Sequence, residues 1–369
     1  MTDQETELAR SPLDALHRRL GARMVPFAGY AMPLQYAAGI MAEHLHCRAE
    51  AALFDVSHMG QASLEGEGAA AALERLVPGD IVGLKPGRQR YTLFTDDAGG
   101  ILDDLMVAHL GARLMLIVNA SRKSFDFAHV AAALPGAVRL VPHPDRALLA
   151  LQGPAAAKVL ARLDPGVEAL AFLGVAERRL AGAPAVITRS GYTGEDGFEI
   201  SVPAEAAERL AEALLAAPEV RPAGLGARDS LRLEAGLCLY GADIDTTTTP
   251  IEAGLGWTIG KRRRASWDFL GSGTIRSQHE NGAARLRVGI RPEGRAPARA
   301  GAPLLDPSGA EIGRVTSGCF APSLDAPIAM GYVASAFAAD ATMLAALVRG
   351  KALPAAVVPM PFVPHRYPR

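Results

Sequence analysis

The sequence predicts an α+β protein that ends in a small all-β domain. Three observations carry this. Helical and strand-like segments interleave through about residue 270, with glycine turns between them and no βαβ series. The composition changes after the polar stretch 277–283. Short apolar runs then follow at 286–290, 312–316, 328–333, 343–348 and 355–358, separated by turn signals such as Asp306-Pro307-Ser308-Gly309 and Arg349-Gly350-Lys351. Such spacing predicts an antiparallel sandwich or barrel. The boundary falls near residue 280, dividing 1–280 from 281–369.

The elements before the boundary follow in order. Ser11 caps a first helix, Pro12 suits its first position, Asp14 completes a capping box and Gly21 ends it. Leu13, Leu16 and Leu20 recur at helical spacing on it. A second amphipathic helix is expected over 40–53. Strands are expected at 90–95, 101–108 and 114–118, and a helix rich in Ala and Leu at 204–216.

Composition excludes several classes. Of 369 residues, 49% are hydrophobic and 21% charged, which suits large cores and argues against disorder. Lys plus Arg numbers 38 against 39 for Asp plus Glu, so there is no basic field to hold nucleic acid. Cys47, Cys238 and Cys319 are far apart and form no CxxC pair, which disfavours a zinc site or a disulfide framework and suits a reducing compartment. No apolar stretch is long enough to span a bilayer without interruption. The N-terminal residues are acidic and polar, unlike a secretory signal or a transit peptide. A soluble cytoplasmic protein with no membrane partner and no metal is the expectation.

Familiar nucleotide loops fail. Gly256-Trp257-Thr258-Ile259-Gly260-Lys261 has three residues between its glycines where a P-loop needs four, and Arg262 stands where Ser or Thr belongs. Gly224-Leu225-Gly226 lacks the third glycine of a dinucleotide fingerprint. Asp55-Val56-Ser57-His58 offers triad residue types, but neighbours on a strand point to opposite faces, so a structural or pocket-lining role is expected. Glu43-His44-Leu45-His46 reads as a solvated helical face rather than a metal site. Lys261-Arg262-Arg263-Arg264 reads as an exposed basic patch suited to steering an acidic partner protein.

Three segments carry chemistry. In Gly99-Gly100-Ile101-Leu102-Asp103-Asp104-Leu105-Met106-Val107, strand alternation puts Ile101, Asp103, Leu105 and Val107 on one face, and Leu102, Asp104, Met106 and Ala108 on the other. Each face then holds one carboxylate among apolar neighbours. Burial there raises a carboxyl pKa toward neutrality, although a solvated Asp pair beside a turn is the commoner case. The alternation does not choose between the two. In Ser190-Gly191-Tyr192-Thr193-Gly194-Glu195-Asp196-Gly197-Phe198-Glu199-Ile200, glycine turns lead into a strand whose Phe198, Ile200 and Val202 point inward and whose Glu199 points the other way. A fixed carboxylate accepts paired N–H donors such as a pterin or guanine edge presents, although a turn followed by an ordinary half-exposed strand is the commoner case. In the block 224–241, Asp229 is placed to cap a short helix, and Arg228 just before it presents its planar fork to a ligand.

Together these segments resemble the glycine cleavage T-protein family of aminomethyltransferases. The matching pieces are Gly29-Tyr30-Ala31-Met32-Pro33-Leu34-Gln35-Tyr36, Phe54-Asp55-Val56-Ser57-His58-Met59-Gly60, the Asp103-Asp104 strand, Val118-Asn119-Ala120, the turn 191–199, the block 228–241 and Thr316-Ser317-Gly318-Cys319. They run in family order over nearly the whole chain. Met360-Pro361-Phe362-Val363-Pro364 and the run 261–264 are similar to the mitochondrial-type branch, while the polar N-terminus favours a bacterial version.

The resemblance implies a three-lobed cloverleaf around a central folate-binding hole, with two mixed α/β lobes from the N-terminal region and an antiparallel barrel or sandwich as the third. It implies release of ammonia from an aminomethyl-lipoyl arm on the H protein and transfer of the one-carbon unit to tetrahydrofolate. It assigns Asp104 as the catalytic carboxylate, Glu199 to the pterin donor edge and Arg228 to another folate polar group. Tyr91, Asn119, Tyr192, Tyr240 and Tyr367 are the implied pocket residues. A folate-dependent demethylase, and a non-catalytic folate-binding module, are alternatives on the same fold. Gly236-Leu237-Cys238-Leu239-Tyr240-Gly241-Ala242 lacks the Lys-Gly-Cys signature of such modules. A third possibility, the folate half of a dimethylglycine or sarcosine oxidoreductase, lacks any flavin fingerprint.

Overall fold

Strand alternation builds two sheets that each bury both faces. The computed structural model describes residues 8–368, so the polar stretch 1–7 lies outside the described residues. A five-stranded sheet runs in the order Gln89–Thr95, Ile101–His109, Arg113–Val118, Gly60–Glu65 and Arg139–Pro142. A six-stranded sheet runs Val175–Leu180, Ala183–Thr188, Gly197–Pro203, Arg146–Gln152, Ala51–Asp55 and Val220–Pro222, its last strand parallel to its neighbour. Beyond them, six antiparallel strands between Arg285–Pro292 and Lys351–Val358 close into a barrel.

Packing follows the period of two. On one face of the six-stranded sheet, Leu149, Leu151, Phe198, Ile200 and Val202 pack on the helices Ala156–Ala161 and Ala207–Leu215. On its other face, Ala52, Phe54, Leu148, Ala150 and Val186 meet Ala108, Met115 and Ile117 of the five-stranded sheet. The far face of that second sheet buries Phe94, Leu105, Val107, Leu116 and Val118 against helices that include Lys123–Ala133. Each large side chain so buried contributes about 1.5–3 kcal/mol. The two sheets therefore enclose a narrow cavity between them, lined by Gln89, Ala108 and Ile117 from one and Leu148, Thr188 and Glu199 from the other.

Several local expectations change. The second helix stops at Ala49, and Ala51–Asp55 is a fully buried strand pinned between two neighbours, so tertiary packing overrides the helical pattern. The first helix covers Asp14–Arg19. Its Asp14 binds Arg18 at 2.9 Å, while Ser11 Oγ accepts from the Leu13 amide at 3.2 Å. Arg228 and Asp229 lie inside the helix Leu225–Glu234, not at its cap, and Asp229 pairs with Arg232. Glu43 and His44 are buried rather than solvated. Glu43 accepts the amides of Tyr36 and Gly224, and His44 reaches Ser230 at 2.7 Å and Glu234 at 3.0 Å, joining the helices Ile40–Ala49 and Leu225–Glu234. Short strands at Val220–Pro222 and Pro303–Leu305 were not signalled in the sequence.

Candidate functional site

Strand register separates the two aspartates. Asp104 pairs with Leu93 and Met106 with Tyr91 across the ladder, so Gln89, Tyr91, Asp104 and Ala108 share one face of the sheet, on which Gln89 and Ala108 line the cavity. Asp103 pairs with Phe94 and faces the helix-covered core, where its exposure is 0%. Asp104 is partly exposed. Asn119, one residue past the strand Arg113–Val118, straddles both. Its Nδ2 donates to Asp104 Oδ1 at 2.7 Å and to Asp103 Oδ1 at 2.9 Å, and its amide donates to Asp103 Oδ2 at 3.2 Å. Tyr91 donates its hydroxyl to Asp104 Oδ2 at 3.0 Å.

The electrostatics suit proton handling. Burial, together with the negative charge of Asp103, pushes the Asp104 carboxyl up to about 7, against the pull of the Tyr91 and Asn119 donors. Among the described residues no cation is bonded to it. A carboxyl poised there can take or give a proton at neutral pH.

Glu199 lines the cavity from the other sheet, and the Arg228 charge lies near it. Glu199 accepts from Ser190 Oγ at 3.3 Å, and burial raises its carboxyl pKa against the pull of Arg228. The Arg228 guanidinium lies 4.7 Å from the centre of the Tyr192 ring. Its Nη1 and the Gln89 Nε2 are buried and find no acceptor among the described residues. Orphaned buried donors are costly, and a polar ligand in the cavity would satisfy them. Tyr192 donates its hydroxyl to the Cys238 carbonyl. Tyr240 lies beneath the Arg122 guanidinium, 5.3 Å from its ring centre. Tyr367 is set apart: its ring stacks on Phe172 at 4.2 Å, and no hydrogen bond or ring contact links it to the other predicted residues among those described.

Other motifs resolve as structure. Asp55 binds His17 at 2.8 Å and the Ser57 amide at 2.9 Å, while His58 packs on Phe27 and Tyr30, so the four residues form no triad. The basic run 261–264 is not a free patch. Arg263 is 1% exposed and pairs with Glu74 and Asp268, and Arg262 pairs with Glu74 and Asp80. Arg264 donates to the Ile259 carbonyl, so only Lys261 is without a polar partner among the described residues. A wider groove of about 560 Å³ on the barrel, between Arg291, Glu293, Met343 and Val358, holds none of the predicted site residues.

Sequence reasoning missed Gln89 and Trp257. Trp257 is 64% exposed and stacks on Tyr91 with ring centres 5.6 Å apart. Gln89 sits two positions before Tyr91 on the cavity face, which strand period alone could have flagged.

Comparisons with known proteins agree over the whole length. The GCVT N-terminal domain model matches residues 13–263, and the glycine cleavage T-protein C-terminal barrel domain matches residues 285–364. A protein of Gallus gallus named mitochondrial aminomethyltransferase is 49% identical over 369 residues, covering 98% of this chain and 94% of its own. Its Homo sapiens counterpart of the same name is 47% identical, covering 98% and 91%. The crystal structure of the glycine cleavage system aminomethyltransferase T from Bartonella henselae superposes with a TM-score of 0.93 at 46% identity, covering 98% of this chain and 99% of that one.

Proposed function

This chain belongs to the glycine cleavage T-protein family and is an aminomethyltransferase, and from that premise we propose how its residues divide the work. Asp104 handles the protons, and Glu199 and Arg228 hold the pterin of tetrahydrofolate. Asn119 and Tyr91 orient Asp104. Tyr192 and Tyr240 supply ring surface, and Tyr367, stacked on Phe172 apart from the others, is the outlying member of the set. Residues 1–280 form the folate-binding region and 281–369 the barrel domain.

The observation that supports this reading most is the placement of Asp104. It is held by two neutral donors, with no cation bonded to it among the described residues. The unpartnered Gln89 Nε2 and Arg228 Nη1 suit the acceptors of a pterin ring, and Glu199 suits its donor edge. In the transfer, the methylene carbon exchanges its bonds to the amine and the lipoyl sulfur for two bonds to folate nitrogens. The two folate N–H protons end on the departing ammonia and thiol. A group that shuttles protons beside the folate nitrogens lowers that barrier, and a narrow cavity keeps water from the reactive carbon.

The lipoylated H protein is the carrier in this reading. The named relatives are mitochondrial, whereas for this chain we propose the cytoplasm, a reducing setting that suits three free cysteines. No helix among the described residues is long and apolar enough to cross a membrane.

The test is an assay with aminomethyl-loaded H protein and tetrahydrofolate that scores ammonia and methylene-tetrahydrofolate together. The expected result is equal yields of both from the native chain. Ammonia without the folate product, or turnover of a small methylated amine in its place, would overturn the assignment.

A further inference from the structure

Behind Asp104 lies a second acid that the reaction scheme leaves unused. Asp126 sits on the helix Lys123–Ala133, which covers the far face of the five-stranded sheet. Its exposure is 0%, and neither carboxyl oxygen finds an N–H or O–H donor among the described residues. It meets the carboxyl of Asp103 within hydrogen-bonding range. Asp103, by contrast, already accepts two bonds from Asn119.

Two buried carboxyls in contact cannot both be ionised without a large penalty. One proton between them resolves the contact. It belongs on Asp126, because Asp103 has donors to stabilise its charge and Asp126 has none. The groups that face Asp126 are Asp103 and Asp104 from the strand, Arg122 from its own helix and Tyr240 from the loop opposite. His129, one turn further along the same helix, packs its ring on Phe94 and Phe125. Arg122 spends its Nε on the Leu102 carbonyl and lies over Phe125, so it does not replace the missing donor.

We propose that Asp126 is a positioning residue that stays protonated, donates to Asp103, and thereby fixes Asn119 and the single negative charge beneath Asp104. The chain of bonds is explicit. Asp126 O–H holds Asp103, Asp103 holds both the amide and the Nδ2 of Asn119, and Asn119 Nδ2 holds Asp104 Oδ1. Burial and the neighbouring Asp103 charge push Asp126 up to about 9, in keeping with a retained proton at neutral pH. The proposal rests on the reading of Asp104 above, but one arm of its test does not use activity.

That arm is infrared difference spectroscopy on the full chain at pH 8, where the Asp104 carboxyl is mostly ionised and that of Asp126 is not, reading the C=O stretch of a protonated carboxylic acid. The band should be present in the native chain, persist in Asp104→Asn and disappear in Asp126→Asn. A band unchanged by Asp126→Asn, or absent from the native chain, overturns the proposal even if Asp104 proves catalytic. The second arm is the pH profile of kcat. Asp126→Leu deprives Asp103 of its donor, favours a neutral Asp103 and so relieves its repulsion of Asp104. Its acidic limb should move down by about half a pH unit or more, with kcat reduced roughly ten-fold. Asp126→Asn keeps a donor and should recover both. Identical profiles for Asp126→Leu and the native chain would overturn the role. Should Asp126→Leu fail to fold, the infrared arm decides alone.

Discussion

Two groups of buried carboxyls sit in this chain and behave in opposite ways. At the site, burial raises Asp103, Asp104 and Asp126, the charge of Asp103 raises the other two further, and the donors to Asp103 and Asp104 are neutral. In the second group, Glu195 and Glu234 accept from Arg48 at 2.8 Å each, and Glu195 also from Arg366. Burial pushes Glu234 upward too, but His44, Ser323 and Arg48 outweigh it and hold its carboxyl at about 2. That second group joins the helix Ile40–Ala49, the turn at Thr193, the helix Leu225–Glu234, the barrel loop at Ser323 and the C-terminal segment. Burial alone thus decides nothing about a carboxylate. The nearest cation decides whether it titrates or clamps.

The largest effect expected from breaking this contrast is at Asp104. Asp104→Asn should cut kcat by about 10²–10⁴-fold, with tetrahydrofolate affinity nearly intact by equilibrium titration. An almost unchanged kcat would remove Asp104 from the chemistry. The sign of its stability effect is opposite. A carboxyl raised from 3.8 to about 7 in the folded state stabilises the fold only while protonated, and that contribution fades as pH rises from 3.8 through 7. At pH 8, therefore, Asp104→Asn should melt a few degrees higher than the native chain. A lower Tm at that pH would show that the carboxylate is stabilised in a way its bonds do not reveal.

Next in size is the clamp. Arg48→Met leaves Glu195 with Arg366 alone and Glu234 with only His44 and Ser323, a partial unpairing that costs up to about 3–5 kcal/mol. Denaturant unfolding should show that loss, while kcat of the surviving folded protein stays near native. The pH dependence also differs in sign. Glu234, lowered from 4.5 to about 2, contributes stability that is full above 4.5 and is lost as pH falls through 2. Glu234→Gln should therefore flatten the acid limb of Tm against pH.

Glu199 lies between the two cases, buried with Arg228 near but not bonded. Glu199→Ala should weaken tetrahydrofolate binding by about 10–100-fold, read by fluorescence or calorimetric titration, with less effect on kcat at saturation. Unaltered affinity would refute its pterin role.

How much of this was legible in the sequence depended on the range of the interaction. The faces of 101–108 and 198–202 follow from a period of two, so the split of Asp103 from Asp104 and of Glu199 from Phe198 was readable. Which aspartate met the cavity was not, because each face carried one carboxyl and only the docking of Lys123–Ala133 and of the second sheet distinguishes them. The end of the second helix was hidden because no Gly or Pro interrupts 40–53. His44 and the run 261–264 looked solvated because the buried acids that hold them lie far away in sequence. Glu234 is 190 residues from His44, and Glu74 is 189 from Arg263.

That last misreading gives the smallest expected effect and a direct check on the contrast. If the run 261–264 steered an acidic partner, reversing its charge would slow association with the H protein most at low salt. Among the described residues only Lys261 is without a polar partner, and Arg264 donates to a carbonyl and not to an acid. Lys261→Glu should thus change the association rate less than about two-fold at any ionic strength, since one exposed charge contributes little. Arg263→Met, by contrast, should act on the fold. It unpairs Glu74, with Arg262 remaining as partial compensation, so the loss should appear in Tm and not in the salt dependence of binding. A salt-dependent slowing by Lys261→Glu would return this surface to partner recognition. A fall in Tm confined to Arg263→Met would place the run with the clamps, where a buried arginine holds a buried acid.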